Sequence, residues 1–207
     1  MKKIFLIKIC LLSFVTFSQK INENYKSFSE NNSSEHLLNF VNDSVVQFSS
    51  IRTHMSGQVI LEGKFKKTRD TIFIYAPNFS AKEYTEAKMY KIDYLENKII
   101  KLQINKTELI DNENKTVYVK NSIYLKNYYL RKSLSYFEGK KYIIDRGIIS
   151  GYGTYVKTPR KNKKFLKTIE KKIKNPNNYK STIFRGLTAY KKFGLIGING
   201  VVVTEKI

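Results

Sequence analysis

Histidine and cysteine, the residue types that most often carry nucleophilic or metal chemistry, are few in this chain and scattered. His36 and His54 are the only histidines, and neither has a His or Cys neighbour at metal-ligand spacing. Both read as surface or turn residues. The single cysteine, Cys10, lies in the apolar N-terminal stretch, so the chain beyond it offers no thiol nucleophile and no disulfide. Ser150 stands in Ile-Ser-Gly-Tyr-Gly, which lacks the nucleophile-elbow pattern. Asp145 and Glu170 are a conceivable carboxylate pair, but Asp145 closes a strand-like run and nothing in the sequence brings Glu170 near it. A structural turn acid is the better reading. Gly194-Leu-Ile-Gly-Ile-Asn-Gly200 is glycine-rich, yet it precedes a strand-like run instead of opening a helix, so it is a poor phosphate cradle. The expectation is a protein that is not an enzyme and carries no metal ion or cofactor.

Charge is the stronger chemical signal. The formal net charge is +21, which favours acidic partners: anionic lipid, acidic polymer, an acidic protein surface or, least favoured, nucleic acid. Residues 157–192 hold 13 Lys or Arg against one acid, Glu170. Within them Phe165, Ile169 and Ile173 recur every four residues, with Leu166 beside them, so the spacing predicts a helix over 163–173. Its other face carries Lys163, Lys164, Lys167, Lys171, Lys172 and Lys174, a candidate anion-binding face whose bland alternative is plain solvation. Lysines in the last turn also suit the helix dipole, and Asn175-Pro176 stops the helix.

Outside this basic stretch β-formers dominate. Asp70-Thr-Ile-Phe-Ile-Tyr-Ala76 is the clearest strand, stopped by Pro77-Asn78. Gln58-Val-Ile-Leu61, Lys98 to Ile104, Val117-Tyr-Val119, Ile123-Tyr-Leu125, Lys141-Tyr-Ile-Ile-Asp145 and Thr182-Ile-Phe184 read as further strands. Ser80-Ala-Lys-Glu83 fits a capping box or a loop into a strand. Asp111 to Asn114 reads as a turn or domain joint. Tyr128 to Phe137 fits a helical face about as well as anything.

The N-terminus sets a compartment. Met1-Lys-Lys is a basic opening, Ile4 to Phe17 is apolar apart from Lys8, Ser13 and Thr16, and Ser18-Gln19 follows. This is the pattern of a secretory signal peptide, 1–18, too short for a spanning helix of about 20 apolar residues. Residues 19–44, rich in Asn, Ser, Glu and Lys, read as a poorly ordered lead-in with a helical turn or two. A β-rich region over 45–112 and an α/β region over 113–207 complete the expected organisation.

Arg185-Gly-Leu-Thr-Ala-Tyr-Lys-Lys-Phe-Gly-Leu-Ile-Gly-Ile-Asn-Gly-Val-Val-Val-Thr204 lays out a short helix, a glycine-built turn and a strand. Together with Tyr142-Ile-Ile-Asp145 and Asn175-Pro176-Asn-Asn178, it resembles the plug domain of TonB-dependent outer-membrane receptors of the Bacteroidetes type. The matching positions are Gly186, Ala189, Phe193, Gly194, Gly197, Asn199, Gly200 and Val201. Arg146 stands where the family has glycine and Asn178 where it has aspartate. Tyr190, Lys191 and Lys192 replace small residues, and one residue is missing before Gly186. The match covers 142–207. Upstream, Asp70-Thr-Ile-Phe-Ile-Tyr faintly resembles a carboxypeptidase-regulatory-like β-sandwich.

The resemblance implies an α+β protein: a small, mostly-β, sandwich-like N-terminal region followed by a plug-like mixed α/β unit. A 22-stranded barrel would need several hundred residues more, so a whole receptor is not the expectation. The expected role is therefore non-catalytic, in the periplasm or at the outer-membrane periphery, binding an envelope or outer-membrane protein as an accessory or remnant of a receptor. The alternative expectation is a basic exported protein that binds anionic polymer or membrane through residues 157–192.

Overall fold

A computed structural model describes residues 23–30, 35–50, 59–127, 130, 132–145, 148–149, 155–157 and 160–207. The expected leader, His54 and Ser150 lie outside the described residues.

Eight antiparallel strands close into a barrel: β1 (Asn24–Ser29), β2 (His36–Phe40), β3 (Val45–Ser50), β4 (Ile60–Lys67), β5 (Thr71–Tyr75), β6 (Ile99–Asn105), β7 (Glu108–Asp111) and β8 (Thr116–Lys120). Each pairs with the next, and β1 pairs with β8 through Tyr25↔Lys120 to Ser29↔Thr116. Closure leaves no sheet edge in this part of the chain. Alternation explains the wall. In β4, Leu61, Gly63 and Phe65 are buried while Ile60, Glu62 and Lys64 face water. Leu38, Phe40, Val46, Phe48, Leu61, Ile74, Leu102 and Tyr118 form one interior cluster with Ala87, Ile92 and Leu95. Those last three come from the β5–β6 connection, which holds helix α1 (Ala81–Met89) and a 3-10 turn (Asp93–Leu95). Ser80 accepts from the Glu83 amide while the Glu83 carboxylate accepts from the Ser80 amide, so the capping box is formed.

A second sheet follows α2 (Asn121–Lys126): β9 (Ser133–Phe137), β10 (Lys140–Ile144), β13 (Tyr179–Phe184) and β14 (Val201–Lys206), in the order β10-β9-β14-β13. β9 and β14 run parallel, and the outer pairs are antiparallel. Between β10 and β13 come the small pair β11 (Ile148–Ile149) and β12 (Tyr155–Lys157), then α3 (Arg160–Lys172); α4 (Gly186–Phe193) joins β13 to β14.

Strand β8 shows how the two parts are joined. Thr116, Val117, Tyr118 and Val119 are all buried, with no alternation, because Tyr118 points into the barrel and Val117 and Val119 point outward under a cover. That cover is Leu187 and Ile198 with Tyr124 and Leu130, packed on Phe28, Ile110, Val117 and Val119 of the outer wall. Each such fully buried aliphatic side chain contributes about 1.5–3 kcal/mol. A smaller cluster of Leu134, Ala189 and Val201, with Tyr136, Phe184 and Phe193, fixes α4 to its own sheet.

This architecture corrects the expected α+β plan. Among the described residues there is no sandwich and no plug-like α/β unit; they are mostly β, a closed barrel with a small second sheet and short helices. Residues 19–44 were expected to be poorly ordered, yet they supply β1 and β2, without which the barrel cannot close. Asp111 to Asn114 is no domain joint but part of the β7–β8 turn, where Asp111 accepts from the Asn114 backbone and side-chain amides at 2.9 and 2.7 Å. Ile123-Tyr-Leu125 lies in α2 and not in a strand, because Tyr124 turns under the barrel wall against Phe28, with ring centroids 5.3 Å apart. The equivocal 128–137 segment ends in β9.

Candidate functional site

The six lysines singled out from sequence sit on or just after α3, and all are exposed. The helix is held by its other side. Phe165 packs on Tyr142 of β10, with centroids 4.8 Å apart. The Asn162 side chain brackets the end of β10, accepting from the Asp145 amide at 3.0 Å and donating to the Asp145 carbonyl at 2.6 Å. At 100° per residue, Lys163, Lys164, Lys167 and Lys171 then point away from the sheet. Among the described residues only Lys172 of the six is ion-paired, to Glu138 at 2.8 Å, and it also lies over the Phe137 ring. The hydrogen bond from Lys172 holds the Glu138 carboxyl below its ordinary range, and the same bond raises the Lys172 ammonium. Lys163, Lys167 and Lys171 recur at four-residue spacing. Each such like-charge pair costs the helix roughly 0.2–0.5 kcal/mol, which an anionic counter-surface would relieve.

The resemblance residues are brought together, but as structure. Asp145 pairs with Lys132. Glu170, eight positions beyond Asn162, lies about 12 Å further along the helix, so the carboxylate pair is not assembled. Asn175 caps the 3-10 turn that begins at Pro176, accepting from the Asn177 amide at 3.1 Å. Gly186 opens α4 against the barrel. Ala189 and Val201 are fully buried, and Phe193 stacks on Tyr136. Gly194 ends α4 at φ +68°, Gly197 closes a 3-10 turn, and Gly200 has φ +100°. Asn199 donates from Nδ2 to the Leu130 and Lys132 carbonyls and accepts from the Tyr124 hydroxyl at 3.3 Å. The helix, turn and strand are present in order. They fasten the second sheet to the barrel wall, and no plug is formed.

Sequence reasoning missed a polar network inside the barrel. His36, expected at the surface, is wholly buried. Its Nδ1 lies 3.1 Å from Ser27 Oγ, its Nε2 lies 3.2 Å from the Tyr118 hydroxyl, and its backbone amide donates to Ser27 Oγ at 2.9 Å. Burial first, then the neighbouring Tyr94 phenol and Asp111 carboxylate, push the Tyr118 phenol well up. Burial also raises Asp111, against the opposing hydrogen bonds from Asn114. The available signal was His36-Leu-Leu38-Asn-Phe40, which places the histidine on the same face as two core residues. Serine and histidine at this distance suggest a nucleophile and base. Here they are sealed, at 2% and 0% exposure, and present nothing to solvent. What they do is tie β1, β2 and β8 at the closing seam.

Elsewhere a pocket of about 400 Å³ is lined by Asp70, Thr71, Lys101, Gln103, Asn112 and Glu113. Among the described residues no three His, Cys, Asp or Glu side chains gather to hold a metal ion, and no described helix is long and apolar enough to cross a membrane. No protein family, curated protein or solved structure matches the chain.

Proposed function

We propose that this chain is a non-catalytic, exported binding protein that engages a polyanionic surface of the cell envelope through α3. One observation carries the reading: a helix pinned to the outer sheet by Phe165 and Asn162 holds four exposed lysines, Lys163, Lys164, Lys167 and Lys171, on the side away from the protein. They are displayed by a fixed scaffold and crowd one another on it. The leader-like N-terminus supports export, and the formal charge of +21 supports an acidic partner. The first expectation, an accessory or remnant of a receptor, leaned on a plug-like unit, and the mostly-β architecture lends it no support.

The test is binding of inorganic polyphosphate as a function of salt. Each phosphate neutralised adds somewhat less than one to the slope of log affinity against log salt. Replacing Lys163, Lys164, Lys167 and Lys171 by Gln is expected to lower that slope by roughly 3 and to hold or slightly raise thermal stability, since like-charge pairs on the helix are removed. An unchanged slope would overturn the assignment of the face.

A further inference from the structure

The four-stranded sheet has two faces, and they are covered unequally. The barrel-side face carries Leu134, Tyr136, Val201, Val203 and Phe184 and is packed on α4. On the opposite face one cross-strand row runs Tyr142, Ser135, Val202, Ile183, as the registers Tyr142↔Ser135, Val202↔Ser135 and Ile183↔Val202 require. Helix α3 covers the Tyr142 end of this row. The other end is open: Ile183 is 58% exposed and Val202 36%. Leu166, on the flank of α3 itself, is 47% exposed. Lys140 and Lys206 stand on the same face, directly opposite Phe137 and Tyr179.

Lysine-rich helix and open apolar row thus share one side of the molecule. A soluble polyanion uses the lysines and gains nothing from Ile183, Val202 or Leu166. A bilayer with anionic headgroups uses both, the charges at the headgroups and the aliphatic side chains at the acyl boundary. We infer that the polyanionic surface this protein engages is an anionic lipid bilayer, with α3 and the β13–β14 half of the outer sheet face lying against it. This rests on the binding face proposed above and adds the apolar component.

The test is sedimentation of the whole chain with vesicles of phosphatidylcholine alone and of phosphatidylcholine mixed equally with phosphatidylglycerol, beside polyphosphate binding. Ile183→Ser and Leu166→Ser are the variants, both at exposed positions where folding is undisturbed; unchanged melting checks that. The expected result is binding to the anionic vesicles only, about tenfold weaker in each variant, with polyphosphate affinity unaltered. Vesicle binding that ignores both substitutions, or polyphosphate binding without vesicle binding, overturns the lipid inference and leaves the anionic face standing. Binding to neither probe overturns the face itself.

Discussion

Gly186 is the residue on which the joint between barrel and second sheet turns. Its φ is +49°, and a Cβ there would lie 2.4 Å from the Glu30 backbone nitrogen, 2.5 Å from the Ser29 carbonyl carbon and 2.9 Å from the Lys115 carbonyl oxygen. All three are backbone atoms of the barrel rim, so no flexible side chain can swing aside. Around this point Glu30 accepts from the Thr188 amide at 2.6 Å and from its hydroxyl, and the Leu187 amide donates to the Lys115 carbonyl at 3.3 Å. For Gly186→Ala the left-handed backbone costs roughly 1–2 kcal/mol. Prising the two backbones apart adds about 1–3 kcal/mol, the usual range for overpacking. The total of roughly 2–5 kcal/mol corresponds to a fall in Tm of about 4–20 °C for a chain of this size. Gly194→Ala is the control: φ is +68°, but nothing lies within 4 Å of its added Cβ, so only a conformational cost of about 1–3 kcal/mol applies. Thermal unfolding of the three proteins, with a hydrophobic dye to report exposure of Phe28, Val117 and Val119, measures this. The reasoning is refuted if Gly186→Ala melts with the parent protein, or if Gly194→Ala is the more damaging change.

Two further outcomes follow from single contacts. Asn199→Ala leaves the Leu130 and Lys132 carbonyls and the Tyr124 hydroxyl without their shared partner; urea titration should show a loss of about 1–3 kcal/mol, and Asn199→Asp, which cannot donate, should not restore it. Glu23 accepts from Lys120 at 2.6 Å and from Tyr25 at 2.7 Å. Burial works against its ionisation, but these hydrogen bonds outweigh it and hold its carboxyl below the ordinary value of 4.5. A depressed carboxyl stabilises the fold above its unfolded pKa and loses that contribution as pH falls through the folded value. Glu23→Gln should therefore cost about 0.2–1 kcal/mol at neutral pH, the range of an exposed pair. The gap from the parent protein should close in acid, and a gap of constant size across that range argues against the pairing.

Much of the second sheet was legible in sequence because its signals are local. Phe165, Ile169 and Ile173 mark α3; Gly194 and Asn199-Gly200 mark the turns around the α4–β14 connection; Val201 to Val203 marks a strand, although only Val201 of the three is buried. The barrel was not legible, and the reason is physical. Asn24-Tyr-Lys-Ser-Phe-Ser29 is too polar to read as a strand, since its inward Ser27 is satisfied by His36 and its outward Phe28 by Tyr124. Those partners are nine residues or more away, and no periodicity within the segment reports them. The β1–β8 closure joins residues nearly a hundred positions apart, such as Tyr25 and Lys120. Without it, the remaining strands suggest an open sheet or sandwich. The family resemblance over 142–207 misled for a related reason. Glycine and asparagine at fixed spacing specify helix, turn and strand, and they say nothing about what that unit packs against.

What it packs against decides how the basic face is shown. The second sheet is sandwiched between two helices of opposite character. α4 turns Leu187 and Ala189 inward and is spent on the barrel wall, while α3 keeps Phe165 inward and leaves its lysines outside. Because α4 and the buried side of β8 fix the sheet to the barrel, α3 has only the far side left to occupy. The barrel therefore acts as a pedestal, stiffened by its closed hydrogen bonding and by the His36 seam, that holds a cationic helix and an open apolar row outward together. Displayed on a loose tail, the same lysines would spend binding free energy on being ordered at the surface they meet; held on a sheet clamped at Gly186, they are ordered in advance.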